Sequence, residues 1–224
     1  MNRLLLKLFD QLSGLPRGAD EAELLELVAR WRHGAEVAFI RRAIYQWLSD
    51  SAALDHLRTW ARETSTHYVW PLFSTNSGYG IVINEFKDPR QMTSGYANTT
   101  HNHRYSFASL VLSGGYKQVR SSVEITELGQ PAHVYDIDRD DILEGRMLTI
   151  GHEEFHRIID VQDRTMTLLV KCPAVKEASI SVDVATRMAS RHVPVEARVT
   201  QLMNALVMTE DAGIAEGKSD ARLA

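Results

Sequence analysis

Two hydrophobic periodicities divide the chain. Up to residue 63 or so, apolar positions recur at helical spacing: Leu4, Leu5, Leu8, Phe9 and Leu12 fall on one face. Asp20 then starts a second helix, EAELLELVARWRH, with Leu24, Leu25, Leu27, Val28 and Trp31 directed inward. Acidic residues occupy its first turn, where the helix dipole favours them. EVAFIRRAIYQWLSD and SAALDHLRTWARE repeat the pattern, with Ser51 as N-cap of the latter, so three or four short helices are expected here.

After Ser65 the period shortens to about two. HYVWPLF, GYGIVINEF, HRYSFASLVLSG, GYKQVRSSVEIT, AHVYDID, RMLTIG, HRIIDV, MTLLVKCP and ASISVDV are rich in β-branched and aromatic residues. TNSG, KDPR, SGG, LGQP, RDD, EG and DVQDR separate them as turns. Eight or nine such strands without intervening helical patterns predict an antiparallel sandwich or barrel of the jelly-roll kind. From Pro194 helical spacing returns, with Val195, Val199, Leu202, Leu206 and Val207 as a stripe, and the small and charged TEDAGIAEGKSDARLA is expected to fray. The expected layout is a helical region over 1–64 packing on a barrel over 65–183, then a C-terminal helix and flexible tail over 184–224. The helical region can cap one barrel end or build a homodimer interface, and both alternatives stay open.

Composition narrows the class. With 44% hydrophobic and 24% charged residues the chain is globular, and a formal net charge of -4 gives no reason to expect nucleic acid or an anionic membrane as partner. A single cysteine, Cys172, rules out an intramolecular disulfide and points to a reducing compartment. Lys7 and Asp10 interrupt the leucine-rich start, which argues against a signal peptide, and no apolar run approaches the roughly 18 residues of a membrane span. A cytoplasmic protein is expected.

Candidate chemistry gathers in the histidines. Residues i and i+2 of a strand share a face, so in THNHRYSFASLVLSGG the imidazoles of His101 and His103 can converge on one point. Alone, such a pair is more often a solvated strand edge than a metal site. A third histidine, His156 in GHEEFHRIIDV, opens another strand that a barrel can bring beside the first two. Three neutral imidazoles suit borderline divalent ions and leave coordination positions open.

With their neighbours these residues resemble a known family. Gly95, His101, Asn102, His103, Phe107 and Gly114 have the spacing of the first cupin motif, G-x5-H-x-H-x3-E-x6-G. Gly145, Gly151, Glu153, His156 and Asp160 follow that of the second, G-x5-P-x-G-x2-H-x3-N, with Gly151, Glu153 and Asp160 in place of its Pro, Gly and Asn. The resemblance covers roughly residues 66–182 and implies a mainly β fold, the cupin double-stranded β-helix, with a metal inside the barrel. Phe107 stands where most metal cupins have a glutamate ligand, leaving His101, His103 and His156. In this the chain looks like the thiol dioxygenase branch, of the cysteine dioxygenase type; YGIVINEF, His156-Arg157-Ile158 and LLVKCPA are similar to segments flanking that site. The substrate pocket departs from it: Trp70 stands in the place of the substrate-carboxylate arginine, Lys171 in that of the tyrosine near the metal, and Phe107 in that of the crosslinking cysteine.

The resemblance implies a non-haem Fe(II)-dependent oxygenase that takes dioxygen and a small metal-chelating thiol, enol or hydroxy-acid. Zn, Mn or Ni in the same cage would instead serve an isomerase, lyase or hydrolase, and a barrel that senses a small ligand is a third alternative. His152 and Glu153 are candidates to orient His156 or move protons, or else belong to a solvated loop. Tyr105 shares the inward face of His103, for substrate contact or for packing. Arg120 and Lys171 are candidates to bind an acidic substrate. His33, His56, His67, His133 and His192 are each alone and read as structural or solvated, Cys172 as a buried small hydrophobe, and Trp31, Trp47 and Trp60 as core between helices and barrel.

Overall fold

A computed structural model of the chain describes residues 3–16, 21–33, 35–88, 90, 92, 98–128 and 130–194. Asp20, Gly95 and the helix expected from Val195, with the tail after it, lie outside the described residues. The chain divides into a unit of residues 1–191 and one of 192–224, and the architecture below is that of the first.

Four helices open the chain: α1 (Arg3–Ser13), α2 (Glu21–His33), α3 (Val37–Leu48) and α4 (Ser51–Trp60). The N-cap of α4 is Asp50, not Ser51: its carboxylate accepts from the backbone N–H groups of Ala52 and Ala53, and Ser51 is the first helical residue. An Asp ahead of Ser wins because a charged acceptor bonds the orphan amides more strongly than a hydroxyl.

Twelve strands follow among the described residues. They are β1 (Arg62–Glu63), β2 (His67–Ser74), β3 (Gly80–Phe86), β4 (Thr99–His101), β5 (Phe107–Ser113) and β6 (Gly115–Glu124). Then come β7 (His133–Leu143), β8 (Met147–Ile150), β9 (Phe155–Ile159), β10 (Met166–Lys171), β11 (Ser179–Asp183) and β12 (Ala189–His192). They form two six-stranded sheets, ordered β1-β2-β3-β10-β5-β8 and β12-β11-β4-β9-β6-β7. Within the sheets, the pairings from β1 through to β8 and from β11 through to β7 are antiparallel. From β3 to β6 and again from β7 to β11 the chain crosses from one sheet to the other at each step, which is the winding of a double-stranded β-helix, a jelly roll. At the β5–β6 crossing Gly114 has φ +67°, and a Cβ there would lie 2.5 Å from Thr165 Oγ1, so this turn needs glycine.

The helices cover the outer face of the first sheet. Leu5, Leu8, Leu12, Leu24, Trp31 and Ile40 form one core with Leu72, Ile81, Ile83, Leu110, Leu112, Leu168 and Val170. Residues from the opposite face of the same strands, Phe107, Val111, Leu148 and Leu169, pack inside the barrel with Tyr116 and Ile142. Burial on both faces explains why β5 reads as the continuous run FASLVLS rather than as an alternation. Trp31 is buried in the helical core and Trp47 packs against it, whereas Trp60 is 64% exposed, a correction to its reading as core. Cys172 is buried and reduced. Among the described residues no helix is long and apolar enough to cross a membrane.

Candidate metal centre

Two strands of the second sheet bring the histidines together. His101 ends β4 and is the direct antiparallel partner of His156 on β9, while its other neighbour is Ser181 on β11. His103 is not on that strand, contrary to expectation. Buried Asn102 ends the regular ladder by exchanging both of its hydrogen-bonding functions with one residue: its N–H donates to the Ile180 carbonyl at 3.0 Å, and its Oδ1 accepts from the Ile180 N–H at 2.8 Å. Beyond this clamp the chain bends at Arg104 and Tyr105, and His103, Tyr105 and Phe107 all line the interior.

The three rings form a nearly equilateral triangle, with centroids 5.0, 4.9 and 5.1 Å apart, and one nitrogen from each lies within 4.8 Å of the others. Nε2 of His103 stands 2.8 Å from Nε2 of His156. Two nitrogens each about 2.1 Å from a shared ion, at right angles, lie about 3 Å apart. Burial, together with the neighbouring imidazoles, holds His103 and His156 well below the usual histidine range, so both are neutral and each has one ring nitrogen able to ligate a metal. His156 Nδ1 is buried without a partner among the described residues. The donor set thus fits a borderline divalent ion held by three imidazoles. Phe107 packs edge-on against His103 with centroids 4.9 Å apart, and among the described residues no carboxylate joins the cluster.

The triangle opens on a cavity of about 410 Å³ between the sheets. Its wall follows the strand period: His67 and Val69 on β2; Val82, Asn84 and Phe86 on β3; Tyr116 and Gln118 on β6; Ile158 on β9; Thr167, Leu169 and Lys171 on β10. Lys171 Nζ lies 5.2 Å from the centre of the Tyr105 ring. The stem of Lys171 passes over Gly80, its partner across the β3–β10 ladder, where a Cβ would come within 2.7 Å of Lys171 Cε. Burial raises the Tyr105 phenol above its ordinary range and keeps it protonated. The same cause, aided by Arg62, lowers His67 to about 4.

Of the residues singled out in the sequence, the structure gathers His101, His103, His156, Tyr105, Phe107 and Lys171 around this cavity. Trp70 lies on the opposite face of β2, packed toward the helices with its indole N–H donating to Glu85 Oε2 at 2.9 Å. His152 and Glu153 stand outside the cavity. His152 Nδ1 is 3.3 Å from Ser106 Oγ, which donates to Glu21 Oε2 of α2, and Glu153 pairs with Lys176 at 3.3 Å. Arg120 pairs across from His156 and reaches between the sheets to donate to the Thr149 carbonyl at 3.3 Å, without lining the cavity. Sequence reasoning read His67 as structural or solvated and overlooked Asn84 and Gln118, all three of which line the cavity. Their signal is phase: His67 alternates with Val69, and Gln118 with Tyr116, on strands whose inward register a lone polar residue does not reveal.

No family model and no curated protein matches the chain. Solved structures with a partial likeness to the chain include KdgF from Halomonas sp., 11% identical with a TM-score of 0.35, over 50% of this chain and 86% of that one. The Clostridium difficile EutQ protein is 15% identical with a TM-score of 0.33, over 53% and 80% of the two chains. Ectoine synthase from P. lautus is 16% identical with a TM-score of 0.33, over 53% and 75%. Likenesses this distant carry no argument, and the reading of the centre rests on its own residues.

Proposed function

We propose that this protein is a cupin-type metalloenzyme, a non-haem Fe(II)-dependent oxygenase that acts on a small metal-chelating thiol, enol or hydroxy-acid. The observation that carries the reading is the convergence of three imidazoles, those of His103 and His156 kept neutral by burial, with Phe107, rather than a carboxylate, beside them. Fe(II) held by three neutral ligands keeps its full positive charge, favours an anionic chelating donor, and supplies redox chemistry toward dioxygen.

The chain's own residues support that chemistry. His101, His103 and His156 would provide the cage, and Val82, Leu148 and Leu169 set apolar surface beside it for the body of a substrate. Lys171 places a cation at the cavity beside Tyr105, whose phenol, kept protonated, can donate a hydrogen bond to a bound anion. Arg62 adds positive charge to the lining. The missing carboxylate makes a negatively charged substrate the electrostatic complement of the site.

Anaerobic loading with Fe(II), followed by oxygen-electrode assays over a thiol, enol and hydroxy-acid panel, tests this. Substrate-dependent oxygen uptake that vanishes in His101→Ala, His103→Ala and His156→Ala variants is expected. Metal bound without uptake for any candidate would overturn the oxygenase reading in favour of Lewis-acid chemistry with Zn, Mn or Ni, which metal analysis of the protein as purified then identifies.

A further inference from the structure

Gln118 is 3% exposed and lines the cavity from β6, yet its side-chain Oε1 is buried with no hydrogen-bond partner among the described residues. Leaving a buried amide oxygen bare is costly, and such groups in folded proteins are ordinarily satisfied by protein, water or ligand. Its direct cross-strand neighbours are Ile158 on β9 and Asp140 on β7, and the cavity around it is lined by Val82, Leu148 and Leu169 together with the polar Asn84, Ser109 and Thr167, yet none of them bonds this oxygen.

Its position relative to the histidines is fixed by register. His156 pairs with Arg120 and Ile158 with Gln118, so Gln118 is the diagonal neighbour of His156 on the inward face. Diagonal neighbours in an antiparallel pair lie about 7–8 Å apart between Cα atoms, within reach of long side chains and of a small molecule spanning both. A ligand anchored at the three imidazoles therefore meets Gln118 one sheet diagonal away.

We propose that Gln118 selects the substrate, its Oε1 accepting a hydrogen bond from an O–H or N–H donor carried by the apolar body of the molecule that the histidine centre holds. The substrate class is thereby narrowed to a chelating anion with a hydrogen-bond donor at its far end. This rests on the cavity being the substrate site of the metal centre.

A matched pair of probes tests it in Zn(II)-loaded protein, where no oxygen chemistry intervenes: 3-mercaptopropanamide, whose amide offers N–H donors, and methyl 3-mercaptopropanoate, which offers none. Calorimetry should show the wild type binding the amide about 3- to 10-fold more tightly than the ester. Gln118→Met, close in shape and without the oxygen, should bind both alike at unchanged zinc content, and Gln118→Glu, which restores an acceptor, should recover the preference. The metal-free Gln118→Met variant should melt at or above the wild-type temperature, because an unsatisfied polar group has been removed. Equal binding of both probes by wild type, a preference that survives in Gln118→Met, or a melting temperature several degrees lower in that variant would overturn the role. Failure of the wild type to hold zinc would instead overturn the metal reading, and the inference with it.

Discussion

Phe107 is the residue where geometry and chemistry meet most directly. It is buried, with its ring packed edge-on against His103 beside the imidazole triangle. Phe107→Glu should therefore destabilise the metal-free protein by on the order of 3 kcal/mol, the cost of an uncompensated buried carboxylate. Divalent metal should restore more stability to this variant than to wild type, by thermal melts with and without Mn(II); equal metal-induced shifts would place the side chain away from the centre. The pH behaviour follows from His67, lowered to about 4 by burial. As pH falls below 6.5 the unfolded chain takes up a proton that the folded one refuses, so His67 costs stability progressively from about pH 6.5 to about 4 and nothing further below that. The loss is about 3 kcal/mol at most, and His103 and His156 act with the same sign. Denaturant titrations of metal-free protein should show a shallower fall in His67→Gln than in wild type; parallel curves would mean that His67 is already solvated in the folded state.

Elements differ in how plainly a linear pattern announces them. The amphipathic helices are legible because Leu5, Leu8 and Leu12, or Leu24, Val28 and Trp31, recur at helical spacing and bury one stripe. The fully buried β5 is legible as an apolar run, and Gly114 as its turn. Other boundaries depend on partners remote in sequence. Nothing near Asn102 forecasts that Ile180 will satisfy its side chain and separate β4 from β5. The expected RDD turn lies inside β7 instead: this strand closes one edge of its sheet, where Arg139 and Asp141 can stay in solvent while the backbone pairs with β6. The histidine triad was legible because its ligands have characteristic chemistry and spacing. Gln118 was not, since a glutamine within a strand carries meaning only once its face is known. At this scale the Asp50 cap offers a local test: Asp50→Ala should lower stability by about 1 kcal/mol in chemical denaturation without changing metal content, and Ser51→Ala should have little effect.

The whole molecule places a chemical cavity and a helical layer on opposite sides of a wall one sheet thick. Leu168 and Val170 of β10 join the helical core, while Thr167, Leu169 and Lys171 face the cavity. Removal of residues 1–60 would uncover Leu72, Ile81, Ile83, Leu110 and Leu112 as a contiguous apolar face. Such a truncation should aggregate or bind a hydrophobic dye, and a soluble, dye-silent barrel of residues 61–224 would show that the helices are dispensable. The layer shares its core with the barrel's outer sheet, even though none of the three histidines belongs to it. The double cover over β10 also carries a clock. Its amides pair with β3 on one side and β5 on the other, and both faces are screened from solvent, so their deuterium uptake should be among the slowest in the chain, while the exposed edge strand β7 exchanges early. Occupation of the cavity should lengthen the times at positions 167–171 before it is felt at the outer edge, so that isotope labelling can locate a ligand whose identity is still unknown.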